Sequence, residues 1–176
     1  MSLSGPEPGV ACSNGRQRAS LSGERPAVDR ISVVIVNWNA GAALRDCLES
    51  LIACHPGLEL ELVLVDNAST DRSLEMAQAA WPGLRLVRNP DNRGFAAAVN
   101  QGLAVTDRSC PFVLLLNPDT RFSADTLGPL LTFMEGHPQA AAVGPLILGS
   151  DNRLQRGCRR REPSAWGMLC RSLGLD

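Results

Sequence analysis

Ile31-Ser-Val-Val-Ile-Val-Asn37 and Glu61-Leu-Val-Leu-Val-Asp66 are short runs of β-branched residues and Leu, each closing on an amide or a carboxylate. Runs that fail to alternate between apolar and polar belong to strands covered on both faces, which is the condition of a mainly parallel sheet. Between them, Ala42–Ala53 sets Leu44, Leu48, Leu51 and Ile52 on one face and Arg45, Asp46, Glu49 and Ser50 on the other, the pattern of an amphipathic helix. Working outward, the same reading predicts strands at Leu84–Arg88, Pro111–Asn117 and Ala141–Leu148. It predicts helices at Asp71–Ala80, Phe95–Ala104 and Asp125–Glu135, with Gly128-Pro129 delaying or kinking the last. Trp81 is expected in the core. Strands alternating with helices give an α/β, doubly wound architecture.

The composition narrows the chemistry. The 176 residues are 44% hydrophobic, enough for one domain-sized core. Seventeen basic against eighteen acidic residues leave a formal charge of −1, which argues against a nucleic-acid binder held by a general positive field. Every basic residue is Arg, so a Walker phosphate loop, a Schiff-base enzyme and a Tyr/Lys hydride-transfer pair all lack a necessary group. The six cysteines show no C-x-x-C spacing and only two His accompany them, which speaks against a zinc framework and is read as reduced thiols. No apolar run approaches the length of a membrane span. Residues 1–29, rich in Ser, Gly, Pro, Glu and Arg, are expected to be a disordered leader before a domain over 30–149.

In an open parallel sheet, ligands settle at the carboxyl ends of the strands. Those ends carry Asn37-Trp38-Asn39, Asp66-Asn67, Asn89 with Asp91, and Asn117-Pro118-Asp119. Asn, Asp and Pro are ordinary turn residues one at a time, but four consecutive polar strand ends are not explained by turn preference alone. A rim of carboxylates without Lys suits a phosphate-bearing ligand when a divalent cation, Mg or Mn, mediates, and Asp119 is the expected metal ligand. Asp66 is placed to accept hydrogen bonds from a base or a ribose. No G-x-G-x-x-G follows the first strand, which disfavours a nicotinamide enzyme.

Ile31–Asn39, Leu64-Val-Asp-Asn-Ala-Ser-Thr-Asp71, Asn89-Pro-Asp-Asn-Arg-Gly-Phe-Ala-Ala-Ala-Val-Asn100 and Leu114-Leu-Leu-Asn-Pro-Asp-Thr120 resemble, in order and spacing, the donor-binding half of family 2 glycosyltransferases, especially the rhamnosyltransferase-like branch. The resemblance implies a Rossmann-like GT-A fold and transfer of a sugar, with inversion, from a nucleotide-diphosphate donor to a glycan or lipid-linked acceptor. It assigns Asn37 and Asn39 to the base pocket, Asp66 and Asn67 to the nucleoside, Asn92, Gly94 and Phe95 to a loop bordering the donor, and Asn117-Pro118-Asp119 to the family's cation-binding Asp-x-Asp element. Here the first Asp of that element is Asn117. The implied setting is cytoplasmic, with peripheral contact at the inner face of the membrane where the acceptor is lipid-linked, in cell-wall or polysaccharide biosynthesis.

Over 150–176 the expected acidic general-base segment has no match, so that stretch reads as the Arg-rich start of an incomplete acceptor-side region and the catalytic base is unassigned. Glu162 beside Arg160 and Arg161 reads as a surface ion pair, Arg159-Arg160-Arg161 as a solvated basic stretch or an anion contact, and Cys158 carries little weight as a nucleophile. Two other functions fit the pattern: a truncated, non-catalytic nucleotide-sugar-binding module, and a phospho-receiver domain, which would need a Lys this chain lacks.

Overall fold

The computed structural model describes residues 28–149 and 153–154. The helices and strands run β1 (Arg30–Asn37), α1 (Ala42–Cys54), β2 (Glu59–Asp66), α2 (Ser73–Ala80), β3 (Arg85–Arg88), α3 (Phe95–Val105), β4 (Val113–Leu116) and α4 (Leu127–Gly136). The strands form a parallel sheet in the order β3-β2-β1-β4. The central strand β1 is buried from Ile31 to Asn37, as its unbroken apolar run requires.

Alternate residues of the strands feed two cores. Ile31, Val33 and Ile35 of β1, with Leu62 and Leu64 of β2, meet Leu44, Cys47, Leu48 and Leu51 of α1, Leu74 and Ala77 of α2, and Leu127 and Leu131 of α4. Each such Leu, fully removed from water, contributes about 1.5–3 kcal/mol of transfer free energy. Trp81 is partly buried against this core, in keeping with its expected place. On the opposite face Val34, Val36, Val63 and Val65 pack with Ala98 of α3. There α3 approaches so closely that a Cβ added at Gly102 would lie 2.4 Å from Val34 Cγ1.

Element boundaries differ from expectation where side chains intervene. α2 begins at Ser73 and not at Asp71, because the Asp71 carboxylate accepts the Ser73 backbone N–H at 3.1 Å and holds the preceding residues in a turn. α4 begins at Leu127, with Pro129 inside its first turn, where a missing N–H breaks no intrahelical bond. The chain divides into two compact units, the second starting at Ala142. Within that second unit the strand predicted at Ala141–Leu148 is absent. Only an isolated antiparallel bridge joins Leu148 to Leu154, and Leu146, Ile147 and Leu148 are all more than half exposed. Gly144-Pro145 interrupts the run, and proline cannot donate to a ladder.

Cys47 and Cys110 are buried free thiols, whereas Cys54 is disulfide-bonded, so the reduced-thiol expectation fails at that residue. Of the leader expected over 1–29, residues 1–27 lie outside the described residues, as do Cys158, Arg159-Arg160-Arg161 and Glu162. Val28 packs on the core and the Asp29 carbonyl accepts Glu59 N at 2.7 Å, so the ordered chain begins earlier than expected.

Candidate functional site

The parallel register brings the predicted strand ends to one edge of the sheet. Asn37 pairs with Asp66, Asp66 with Arg88, and Ile35 with Leu116, the residue before Asn117. Asp66 ends β2 and Asn117 follows β4, strands separated only by β1, which puts their backbones about 10 Å apart across two strand spacings. All four positive-φ residues named among the described ones occupy loops of this rim: Asn39 (53°), Gly41 (58°), Ala68 (62°) and Gly94 (79°). Backbone held in this region is retained where surrounding contacts over-determine it.

Those contacts begin with Asn37, which is fully buried. Its Nδ2 lies 2.9 Å from Asp66 Oδ1, 3.0 Å from Ser69 Oγ and 2.8 Å from Ser73 Oγ, three acceptors for two hydrogens. Asp66, 1% exposed, also accepts the Ser69 backbone N–H. The loop after β1 is fastened to the loop after β2 by further bonds: Asn39 N donates to Ser69 Oγ at 3.0 Å, Thr70 N to Asn39 Oδ1 at 2.8 Å, and Gly41 N to Asp71 Oδ2 at 2.9 Å. Asp71 Oδ1 accepts the Ser73 hydroxyl, and this bond, joined by backbone N–H groups of Ser73 and Gly41, holds the Asp71 carboxyl below its usual range.

A second chain of amides orders the loop after β3. Asn89 and Gln101 exchange two bonds, at 2.8 and 2.9 Å, and Asn89 Nδ2 also donates to Asn67 Oδ1 at 2.8 Å. Asn67 Nδ2 in turn reaches Asn92 Oδ1 and the Gly94 carbonyl, while Gly94 N donates to Asn92 Oδ1. Sequence reading singles out neither Ser73 nor Gln101, and it includes Ser69, Thr70 and Asp71 as part of the run Leu64–Asp71 that carries the resemblance. The cluster of hydroxyls around Asp71 was a usable signal, whereas a single Gln in an Ala-rich helix was none.

The predicted site residues thus fall into two groups. Asn37, Asp66 and Asn67 are buried and internally bonded, while Asn39, Asn92, Gly94, Phe95, Asn117 and Asp119 are exposed on the rim. Trp38 (60% exposed) and Phe95 (58%) add two large apolar faces to it. Asp119 sits in the turn Asn117–Thr120, closed by Thr120 N donating to Asn117 O at 3.2 Å with Pro118 in its second position. Burial, and secondarily the Asp119 carboxylate, push the neighbouring Cys47 thiol up to about 12, so it stays protonated.

Among the described residues no three His, Cys, Asp or Glu side chains gather to cage a metal ion. An exposed carboxylate in a turn closed by its own backbone is nonetheless a donor that Mg or Mn uses when waters and substrate phosphates complete its shell. Among the same residues no helix is long and apolar enough to cross a membrane.

Known proteins share the fold. A mannosyltransferase of Pyrobaculum calidifontis, solved with GDP-Man and Mn2+, superposes with a TM-score of 0.56 at 25% identity over 64% of this chain and 34% of its own. Staphylococcus aureus TarS 1–349 with UDP-GlcNAc gives 0.55 at 26%, over 62% and 32%. The sheet and its flanking helices are accordingly of the GT-A type. In sequence, the N-acetylglucosaminyl-diphospho-decaprenol L-rhamnosyltransferase of Mycobacterium tuberculosis is 30% identical over 141 residues, covering 75% of this chain and 46% of that protein. A PGL/p-HBAD biosynthesis glycosyltransferase of Mycobacterium bovis is 34% identical over 131 residues, covering 72% and 50%. The chain spans about half the length of these curated relatives. Residues 32–173 match the family model described as Glycosyl transferase family 2, and the chain belongs to that family.

Proposed function

We propose that this chain binds a nucleotide-diphosphate sugar and serves transfer of the sugar, with inversion and assisted by a divalent cation, to a glycan or lipid-linked acceptor. The observation that carries the reading is the shared rim: buried Asn37 and Asp66 on adjacent strands, and exposed Asp119 beyond the end of β4 on the other side of β1. Asn37, Asp66 and Asn67 form the floor of the donor pocket, and Asn39, Asn92, Gly94, Phe95 and Asn117 its rim. Asp119 holds the cation, Mg or Mn. Held there, a divalent cation would supply positive charge to offset that of the departing diphosphate. The protein's own part is to keep Asp119 in reach of that charge and to hold the nucleoside end still, which the bonded loops after β1 and β2 do without rearrangement.

The rhamnosyltransferase-like branch is supported by the Mycobacterium tuberculosis relative, whose name specifies a diphospho-decaprenol acceptor. A lipid-linked acceptor of that kind would place the protein in the cytoplasm with a peripheral approach to the inner membrane face. No described residue is assigned as general base.

Calorimetry with UDP, GDP and dTDP, each with and without Mn2+, tests the reading. At least one diphosphate should bind more tightly with Mn2+, and Asp119→Ala should abolish that gain while leaving metal-free binding in place. Equal binding by wild type and Asp119→Ala in the presence of Mn2+ would exclude Asp119 as the cation ligand. Release of free sugar from the donor, or its transfer to an acceptor, separates a transferase from a module that only binds.

A further inference from the structure

The connection from Asn117 to Leu127 carries Asp119 but contains no strand and no helix until its last residue. It is held from beneath by one face of α1. Cys47 Sγ donates to the Asn117 carbonyl at 3.6 Å, the same oxygen that accepts Thr120 N and closes the turn presenting Asp119. One turn further along, Ser50 Oγ donates to the Cys47 carbonyl at 2.9 Å and accepts Phe122 N at 3.1 Å. At the end of the helix, His55 Nε2 accepts the backbone N–H groups of Thr126 and Leu127 at 3.2 and 3.3 Å. Backbone N–H groups can only donate, so Nε2 is the acceptor and Nδ1 carries the proton that goes to the Leu51 carbonyl at 2.8 Å. The His55 ring also meets Phe122 edge-on, at 5.0 Å and 89°.

All three side chains are buried, Cys47 fully and Ser50 and His55 to within 5%. Cys47 and Ser50, three apart, share one face of α1, and His55 follows its last residue, so one helix and its cap grip the start, middle and end of an otherwise irregular segment. Buried polar groups need partners, but that need does not explain why all three partners lie on the one connection that presents Asp119.

We infer that Cys47, Ser50 and His55 are positioning residues that fix the Asp119 turn against α1 and thereby set the cation-dependent part of donor binding without touching donor or cation. The inference rests on the reading of Asp119 as the cation ligand.

The test uses the full chain with Mn2+ and UDP as probes, or GDP or dTDP if that is the diphosphate bound. Ser50→Ala and His55→Leu remove an anchor, whereas Ser50→Thr keeps the hydroxyl and His55→Gln supplies an amide oxygen as acceptor in place of Nε2. Outer-shell partners of metal ligands are typically worth 10–100-fold in metal affinity, so Ser50→Ala should lose about tenfold of the Mn2+-dependent gain while metal-free binding moves by less than about twofold. Ser50→Thr should restore the gain, which a general loss of stability would not predict. Amide exchange should accelerate at Thr120, whose bond goes to Asn117 and to neither substituted residue, and remain unchanged along β2.

Retention of the full Mn2+ gain by both Ser50→Ala and His55→Leu overturns the inference, as does a parallel fall of metal-free and metal-dependent binding. Should Asp119→Ala keep the gain, the cation reading falls and takes the inference with it. That failure is recognisable because it arises with Cys47, Ser50 and His55 intact.

Discussion

Asp71 shows how much of the rim depends on one half-exposed carboxylate. It joins the loop after β1, through Gly41 N, to the start of α2, through Ser73, and these bonds favour its charged form. A carboxyl whose folded value is depressed stabilises the fold above its unfolded value, and that stabilisation is lost as pH falls through the folded value. Asp71→Asn should therefore melt below wild type near neutrality, and the gap should close progressively below about pH 4, where ordinary carboxyls protonate. Melts recorded across that range decide the matter, for a gap independent of pH would mean that the charge of Asp71 plays no part. Asn37, Asn39 and Asp66 could be singled out from their place at strand ends. Their division into buried floor and exposed rim could not, because it depends on which acceptors the folded loops bring to each amide.

At the scale of elements, α3 is short, rich in Ala and set against the sheet through Gly102. The Val34 methyl that an added Cβ would meet belongs to the central strand, which has neighbours on both sides and cannot yield. Gly102→Ala improves helix propensity by roughly 1 kcal/mol, but overpacking of this kind costs about 1–3 kcal/mol. The expected net result is a loss of stability in urea denaturation together with a weaker β1–α3 contact, and a gain would show that α3 can shift outward. Sequence periodicity located α1 and α3 to within a residue or two, because an apolar stripe is a local property. The same reasoning misplaced a strand at Ala141–Leu148. Apolar content there is high, but a strand needs a partner with free backbone groups, and composition does not reveal whether one is near.

For the sheet as a whole, β4 is, among the described residues, an edge whose two faces differ. Leu114 and Leu116 face the α1 side, while Val113 and Leu115, in register with Ser32 and Val34 on the α3 side, are 40% and 52% exposed. Neighbouring apolar side chains of that size on an edge strand form a binding surface for apolar dyes and for other chains. The native chain should bind such a dye, and Val113→Thr with Leu115→Ser should reduce the signal at a stability change within about 0.5 kcal/mol, the range of surface substitutions. A dye signal unaffected by the pair would locate the apolar surface elsewhere.

Read from the chain alone, the unbroken apolar runs of β1 and β2 were enough to specify strands covered on both faces, the helices between them and a polar residue at each carboxyl end, whereas the equally unbroken run of β4 is covered on one face only. Those are consequences of neighbours in sequence, carried by periodicity and by the stiffness of β-branched side chains. Tertiary structure alone decided that Asn37 binds Asp66, that Gln101 completes an amide chain reaching Asn92, and that Cys47 and Ser50 of α1, with His55 at its cap, hold the segment that carries Asp119. Such partners lie twelve to seventy-two residues apart, and a short polar side chain has no periodic signature. Its role is set by the few ångströms between it and whatever the folded backbone places opposite.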